Sequence, residues 1–580
     1  MYSDFEIRQV PLSIKSQRTK VEQFLAANGL RLETVDYYAA VFECDGDEIL
    51  AGGGLDGDVL KCIAVSDALR DTGMSLCLVS HLLSVAQSQG YFHEKVYTKP
   101  ENRKIFESAS FHTIAESDKA ILLENSDGLE RYCKYLAKKY RPGKNGVIVM
   151  NANPFTLGHR YLIETAAQKV DTLYILAVKD DRSQFTCNER LEMIKAGCCD
   201  IGNVIVCDGS DYAVSATTFP TYFLKKIEDA TDTQITLDLY LFSHYIAPAL
   251  GATIRFVGSE TTTDPTTTRY NELMHQLLPV AKIKVVEIPR LESGGQAVSA
   301  SRVRALLQEG CFRNAAQLVY PSTWPFLISQ VAQQALKTEI DTTPKPGLVD
   351  RHDTGAHRDM DYALMRKSIQ ALRPFFNQLA IIGAQEALPQ VAELKSIGLV
   401  AEKAMLEATS GVNTHKGALF SMGLAVVVAS HLQSTRGLID AQALHEGIIS
   451  LAKQFTEPAG THGAQVIVKH KVGGALACAM SGYEPLFTTW LPYFGANLDD
   501  PYRHHKTLLL IMTALDDTNI FYRCGSEVAQ QAKEEAKRVF NDFSMEALEE
   551  MNRSFVQRNI SPGGAADMLS LTVFVHIVTN

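Results

Sequence analysis

Hydrophobic periodicity changes character near Trp324, and this change limits the folds open to the chain more than any other feature. Upstream, short β-branched runs alternate with stretches of helical period; downstream, long helix-period segments follow one another with few β-branched runs between them. Strand and helix in alternation predict a parallel sheet covered by helices, whereas helices alone predict helix-on-helix packing. At 580 residues the chain is also too long for one core. Three segments are expected: residues 1–130, 131–322 and 325–580.

The first segment mixes strands and helices. Residues 49–54 and 59–65 predict paired strands, and Arg70-Asp71-Thr72-Gly73-Met74-Ser75 then opens an amphipathic helix. In the middle segment, the apolar run Gly146-Val147-Ile148-Val149-Met150 leads into Asn151-Ala152-Asn153-Pro154-Phe155-Thr156-Leu157-Gly158-His159 and then a helix. A helix start offers unpaired N–H groups and a positive dipole end, so this strand-turn-helix with a T-x-G-H signature suits a phosphate. Further strands are expected at residues 173–178, 204–207, 254–257 and 284–288, giving a doubly wound sheet whose ligands sit at the carboxyl ends of the strands. Lys179 and Gly258-Ser259-Glu260 fall at such ends. Ser299 is a natural N-cap, and Ser301, Arg302 and Arg304 lie in the first turns that follow. Arginines there oppose the helix dipole, and an anion in front of the helix resolves the conflict.

The last segment predicts an all-α domain whose loops carry chemistry. Within residues 343–361, the stretch Asp350-Arg351-His352-Asp353-Thr354-Gly355-Ala356-His357-Arg358-Asp359-Met360-Asp361 packs four acids and two histidines into twelve residues. Such a cluster repels itself unless a cation is present, which points to Mg²⁺ bridging a triphosphate. A second acidic pair, Asp516 and Asp517, precedes Asn519 and Arg523. Asn413, His415 and Lys416 open one helix, and Gly563 and Gly564 open another.

A formal net charge of −10 without a dense Lys/Arg block argues against a nucleic-acid partner. The most apolar stretch, residues 417–430, is shorter than the ~20 residues that span a bilayer, so no membrane partner is expected. The first residues show no basic and apolar leader pattern. Eleven cysteines, single except for Cys198 and Cys199 and without a C-x-x-C pair, fit a reduced cytoplasm.

Three resemblances follow from these motifs. The R-x-x-G-x-S turn, with residues 102–107 and Ser110-Phe111, resembles GNAT-type acetyltransferases, which implies that Arg70, Gly73 and Ser75 hold an acyl-CoA or pantetheine-like pyrophosphate. Residues 1–322 resemble citrate lyase ligase through residues 70–75, 149–163, 247–251, 255–258 and 299–304. This implies a nucleotidyltransferase domain of the HIGH type and acetate activation by ATP. The acetyl group then passes to the prosthetic-group thiol of the acyl carrier subunit of citrate lyase. The implied ATP ligands are Asn151, Asn153, Pro154, Phe155, Thr156, Gly158, His159, Gly258, Ser299, Ser301 and Arg302, with His159, Lys179 and Arg304 as catalytic groups. Residues 325–580 are similar to triphosphoribosyl-dephospho-CoA synthase through residues 343–361, 411–417 and 561–567, which implies ATP and 3′-dephospho-CoA as substrates and adenine as product. Lys345, Gly347, Asn413, His415, Lys416, Asn519, Arg523, Gly563 and Gly564 would bind them. Asp350, Asp353 and His357 are expected to be catalytic, and Asp350, Asp353, Asp359, Asp361, Asp516 and Asp517 are the expected Mg²⁺ ligands. One departure stands out: where the family pattern has an arginine and a glutamate, this chain has Leu476 and Cys478. Two rival expectations are a nucleotidyltransferase acting on a phosphate acceptor, and a ligase whose C-terminal half is an inactive scaffold.

Overall fold

The computed structural model describes residues 5–44, 46–70, 72–179, 183–210, 212, 223, 227–259, 265–456 and 474–580. The chain forms two compact units, Met1–Val298 and Ser299–Asn580. Asp71 and Glu260, both within motifs noted above, lie outside the described residues.

The first unit holds two principal sheets. Strands β1 (Phe5–Gln9), β2 (Tyr37–Glu43), β3 (Ala51–Asp56), β4 (Val59–Val65), β5 (Lys95–Thr98), β6 (His112–Glu116) and β7 (Ile121–Glu124) lie in the order β1-β2-β3-β4-β5-β7-β6. Neighbours are antiparallel except β4 and β5, which run parallel and pair only at Val59 with Lys95 and Leu60 with Val96. In β2 the side chains alternate between two cores, because successive Cβ atoms point to opposite faces. Tyr38, Ala40 and Phe42 join one core with Val21 and Leu25. Ala39 and Val41 join another with Leu78, Val79 and Leu82 of the helix Met74–Ser88.

The second sheet is wholly parallel: β8 (Asn145–Met150), β9 (Thr172–Val178), β10 (Val204–Ser210), β11 (Ala252–Gly258) and β12 (Lys284–Ile288), in the order β10-β9-β8-β11-β12. The alternation expected from sequence is therefore present. The nonapeptide follows β8, Lys179 follows β9, Ser259 follows β11 and Arg290 lies just past β12, so all four leave the same edge of the sheet. Leu136, Val147, Tyr174, Leu250 and Val285 fill one core of this domain.

The second unit contains helices and no strand among its described residues. Trp324–Asp341, Lys416–Arg436 and Gly563–Thr579 are apolar on most sides, as helices at the centre of a bundle must be. The helix Lys416–Arg436 continues past the apolar run read from sequence. At 21 residues it is long enough to cross a bilayer, and 78% of its most apolar window is buried inside this unit. The surrounding helices start on side-chain caps: Asp361 for Tyr362–Gly383, Asp440 for Ala441–Ala452, Asp517 for Thr518–Cys524 and Ser544 for Met545–Gln557. The helix Ala300–Gln308, grouped with the α/β segment on sequence, belongs to this second compact unit.

Candidate active sites

In the first unit, Thr156 caps the helix Leu157–Ala167. Its Oγ1 accepts the His159 N–H at 3.3 Å, and its own N–H donates to His159 Nδ1 at 3.0 Å. This is a capping box with histidine in the position usually held by a carboxylate or amide. Because Nδ1 accepts, the proton of the neutral ring sits on Nε2. Burial, with the charge of Arg290 second, depresses the ring's pKa to about 4. At neutral pH His159 is therefore an uncharged Nε2–H donor stacked on Phe155, centroids 5.8 Å apart. Gly158 is required: a Cβ there would stand 2.8 Å from the Val298 carbonyl oxygen.

The loop before this helix is fastened from beneath by Arg190, which is fully buried. Its Nη1 donates to the Asn151 carbonyl at 2.8 Å, the Asn151 Oδ1 at 2.7 Å and the Val178 carbonyl at 2.8 Å, and its Nε donates to the Phe185 carbonyl at 3.1 Å. One guanidinium thus ties together the ends of β8 and β9 and the start of the helix Cys187–Cys198. Asn153 Oδ1 accepts the Phe185 N–H at 3.1 Å, so both asparagines of the motif act as loop anchors. Ala152 sits at φ 47°, the left-handed region that a non-glycine residue seldom occupies. Arg290 Nε donates to the Ser259 carbonyl at 2.9 Å, joining the turn after β11 to the end of β12. Lys179 is exposed. In the GNAT-like turn, exposed Arg70 pairs with Asp67 at 2.7 Å, and Gly73, at φ 82°, precedes the helix that carries Ser75.

In the second unit, Ser299 caps its helix, its Oγ accepting the Arg302 N–H at 3.2 Å and lying 3.1 Å from Ser301 Oγ; burial lowers the pKa of Arg304. The acidic loop is tied to itself. Asp350 accepts backbone N–H groups from Lys345, His352 and Asp353 at 2.8–3.0 Å. Asp353 accepts the Gly355 N–H at 2.9 Å and the Asn552 amide at 2.7 Å, while Asn552 Oδ1 takes the Gly347 N–H at 2.9 Å. Asp361 caps a helix, Asp516 takes Lys533 and Asp359 is exposed. Among the described residues, no three His, Cys, Asp or Glu side chains gather as a preformed metal site. Of the six aspartates expected to share one cation, five hold turns, helix starts or a lysine, and the sixth, Asp359, is exposed.

The loops meet through other groups. Lys345, with its side chain 1% exposed, pairs with buried Glu339. His357 Nε2 lies 2.7 Å from Ser561 Oγ, and Arg523 donates to the Ala356 carbonyl at 2.7 Å and Asn559 Oδ1 at 2.9 Å. Asp517 accepts the Asn519 N–H and the Ala565 N–H, both at 2.9 Å; burial lifts its carboxyl to about pKa 6. A Cβ on Gly563 would lie 2.8 Å from the Asn519 amide nitrogen and one on Gly564 3.0 Å from Asp517 Oδ2, and Gly417 abuts Asp567. Asn413 Oδ1 accepts the Lys416 N–H at 3.3 Å, and Lys416 Nζ goes to Glu402 at 2.5 Å.

Two family models match the chain: the citrate lyase ligase C-terminal domain over residues 145–327 and the ATP:dephospho-CoA triphosphoribosyl transferase over residues 325–580. The [citrate [pro-3S]-lyase] ligase of Klebsiella pneumoniae is 41% identical over 334 residues, 56% of this chain and 97% of that protein. The 2-(5″-triphosphoribosyl)-3′-dephosphocoenzyme-A synthase of Pectobacterium atrosepticum is 36% identical over 265 residues, 43% of this chain and 88% of that protein. The chain belongs to both families. It is a bifunctional enzyme of citrate lyase maturation, a ligase in its first half and a triphosphoribosyl-dephospho-CoA synthase in its second. A solved structure of Escherichia coli ElaA overlaps 21% of the chain and 99% of its own at 18% identity and a TM-score of 0.19, too low to bear on function.

Within the ligase half, sequence reasoning missed Arg190. A usable signal was the capping box Thr186-Cys187-Asn188-Glu189 directly before it, which marks a helix start at the end of a strand. Within the synthase half it missed Glu339 and did not assign a role to Asp567. Leu476, buried, and Cys478, half-buried, occupy the short helix Ala475–Met480, and the Cys478 thiol is pushed up by burial and then by Asp516 and Asp517. The residue standing in the family's glutamate position therefore lies within electrostatic reach of a carboxylate group already present.

Proposed function

We propose that the ligase half binds ATP at the carboxyl edge of the parallel sheet, with the triphosphate at the start of the helix Leu157–Ala167 and His159 Nε2–H donating to a phosphate oxygen. Acetate attacks the α-phosphate and expels diphosphate; the thiol of the acyl carrier prosthetic group then takes the acetyl group and releases AMP. The chemistry calls for positioning and for donors aimed at developing charge. The observation that carries this reading is the uncharged, pre-oriented His159 at a helix start. Gly258, Ser299, Ser301 and Arg302 are proposed as further ATP ligands, and Lys179 and Arg304 as phosphate-facing cations. The domain limits 1–130, 131–322 and 325–580 and the HIGH-type nucleotidyltransferase fold belong to the same proposal.

The order of the first sheet and the short pairing of β4 with β5 support a GNAT-like module, for which we propose that Arg70, Gly73 and Ser75 receive the pantetheine-like arm of the carrier. Normal thioester formation after replacing Arg70 and Gly73 would remove that assignment.

In the synthase half we propose that the 2′-hydroxyl of 3′-dephospho-CoA displaces adenine at C1 of the ATP ribose. Lys416, Arg523 and the glycine-lined helix starts then face phosphates, while Lys345, paired with buried Glu339, lines the same site through its loop. Asp350 and Asp353 hold their loop through backbone N–H groups, so their contribution is placement of Lys345 and Gly347, with His357 bridging to Ser561. Among the described residues no ready cage for Mg²⁺ is present, and the cation is proposed on the chemistry of the triphosphate. A cytoplasmic location is proposed on the eleven free cysteines.

Two assays on the intact chain test the pair of activities. Acetate must drive exchange of diphosphate into ATP; exchange without acetate dependence would favour a phosphate-acceptor nucleotidyltransferase. Adenine must appear only when ATP and 3′-dephospho-CoA are both present; its absence would leave the second half a scaffold.

A further inference from the structure

The synthase half gathers buried polar groups that no role above uses. Asp567 lies in the second turn of the helix Gly563–Thr579, half-buried, with an oxygen against Gly417 at the start of a second helix. Five other buried polar groups come from separate elements of this unit. Asp517 comes from the start of the helix Thr518–Cys524, Glu339 from the end of Trp324–Asp341 and Lys345 from the loop after it. His415 stands at the start of Lys416–Arg436, and Tyr483 follows the helix Ala475–Met480. The charge of Asp567 acts on Tyr483, those of Asp517 and Glu339 act on Asp567, and that of Lys345 acts on His415.

Two of these groups are nine-tenths or more buried and lack a partner among the described residues. They are Tyr483 OH, in a residue 3% exposed, and His415 Nε2, also in a residue 3% exposed. The histidine's tautomer follows from its neighbours. Thr414 OH donates to Ser368 Oγ at 2.7 Å, so the Ser368 hydroxyl proton goes to His415 Nδ1, also 2.7 Å away. His415 therefore carries its proton on Nε2, a buried donor with nothing to receive it. A buried donor and a buried phenol, both unpartnered among the described residues, suit the polar edge of a flat ligand.

The charge balance assigns the proton within the cluster. Lys345 is consumed by Glu339. That leaves Asp517 and Asp567, and two neighbouring carboxylates withdrawn from water cannot both ionise at no cost. Asp517 accepts backbone N–H groups from Asn519, Ile520, Gly564 and Ala565, which favour its anion; Asp567 accepts one, from Ala418. With fewer backbone donors to its anion than Asp517 has, Asp567 is the one favoured to hold the proton.

We propose that Asp567 is the catalytic acid of the synthase half, giving its proton to a ring nitrogen of the departing adenine, with His415 Nε2–H and Tyr483 OH holding that base. As the C1–N9 bond breaks, its electron pair goes to the purine, and the Asp567 proton neutralises it. As the 2′-hydroxyl oxygen bonds to C1, the hydroxyl proton passes to the Asp567 carboxylate and restores the acid. Atoms and protons balance without another reactant. Burial, reinforced by Asp517 and Glu339, holds the Asp567 carboxyl well above the usual carboxylate range, as an acid working near neutral pH requires.

The inference rests on the synthase reading, which release of adenine by the wild-type chain tests separately. In the full-length protein, Asp567→Asn keeps the shape of the protonated acid but cannot give up a proton. The kcat for adenine release from ATP and 3′-dephospho-CoA should fall by about 10²–10⁴-fold, with both KM values within about threefold of wild type. Acetate-dependent diphosphate exchange should be unchanged, which also reports that the chain is folded. Activity within about threefold of wild type, or a raised KM with kcat intact, overturns the assignment. The wild-type kcat must also fall as pH rises through the Asp567 pKa. A profile without that basic limb overturns the proposal whether or not the variant folds.

Discussion

His159→Asn separates the two jobs of the ligase-half histidine. An asparagine Oδ1 can accept the Thr156 N–H where Nδ1 now accepts it at 3.0 Å, so the capping box and the helix start survive. The reach to Nε2 is lost, and with it the donor offered to phosphate. With a ring pKa of about 4, only about one His159 in a thousand is charged at pH 7, so the loss is that of a neutral donor. Removing one pre-oriented donor from a site of developing charge costs about 10²–10³-fold in kcat, or roughly 2.7–4 kcal/mol. The assay is acetate-dependent exchange of labelled diphosphate into ATP, read with the urea unfolding midpoint. The expected result is a loss in that range with the midpoint unchanged. Retention within about threefold would refute the donor role. An equal loss accompanied by a lowered midpoint would show that the ring matters as a cap.

Three further outcomes follow from the same geometry. Arg190→Met leaves four oxygen acceptors of the loop without their buried partner, which should destabilise the first unit by roughly 3–5 kcal/mol and raise the KM for ATP; unfolding curves and exchange kinetics check it. Gly158→Ala forces a Cβ to 2.8 Å from the Val298 carbonyl, and the displaced helix start should cost about 10²-fold in exchange while adenine release is untouched. Stability should fall as pH drops from 6.5 towards 4, because His159 at about 4 and His415 at about 3 bind fewer protons folded than unfolded in that window. Asp517, raised to about 6, and Asp567, raised further, work the other way, but His81, His357, His504, His505 and His576 are also depressed by burial and act with the first two histidines. Thermal unfolding of His159→Asn should accordingly be less pH-dependent than wild type.

Local features were legible in the sequence because their physics is local. The strand-turn-helix at residues 145–167 declares itself through an apolar run, a cap and a glycine within a few residues, and the switch to helical period near Trp324 predicted where strands would end. Groups that act across the chain were not. Arg190 reaches Asn151 from 39 residues away, and nothing in either neighbourhood announces the contact. The loop at residues 350–361 read as a cation cage because four acids stand close together; the backbone N–H groups that satisfy Asp350 and Asp353 become visible only once the loop is folded.

The two halves solve related problems with opposite means. The ligase half, as proposed, must stabilise charge on a phosphate, and its first-turn histidine is kept neutral by burial and by the charge of Arg290. The synthase half must release a purine from a ribose. Its centre gathers carboxyl groups, the one buried lysine there is matched to Glu339, and a proton is left over. Helix starts figure in both, but in the first the N–H groups are proposed to meet a ligand, whereas in the second Asp517 and Asp567 already occupy several of them. In the proposed reactions one half yields an acetylated carrier thiol and the other a triphosphoribosyl-dephospho-CoA, so neither product is the other half's substrate. A defect at His159 should thus leave adenine release intact, and a defect at Asp567 should leave acetate activation intact. Joining the halves in one chain fixes their ratio without requiring any intermediate to pass between them.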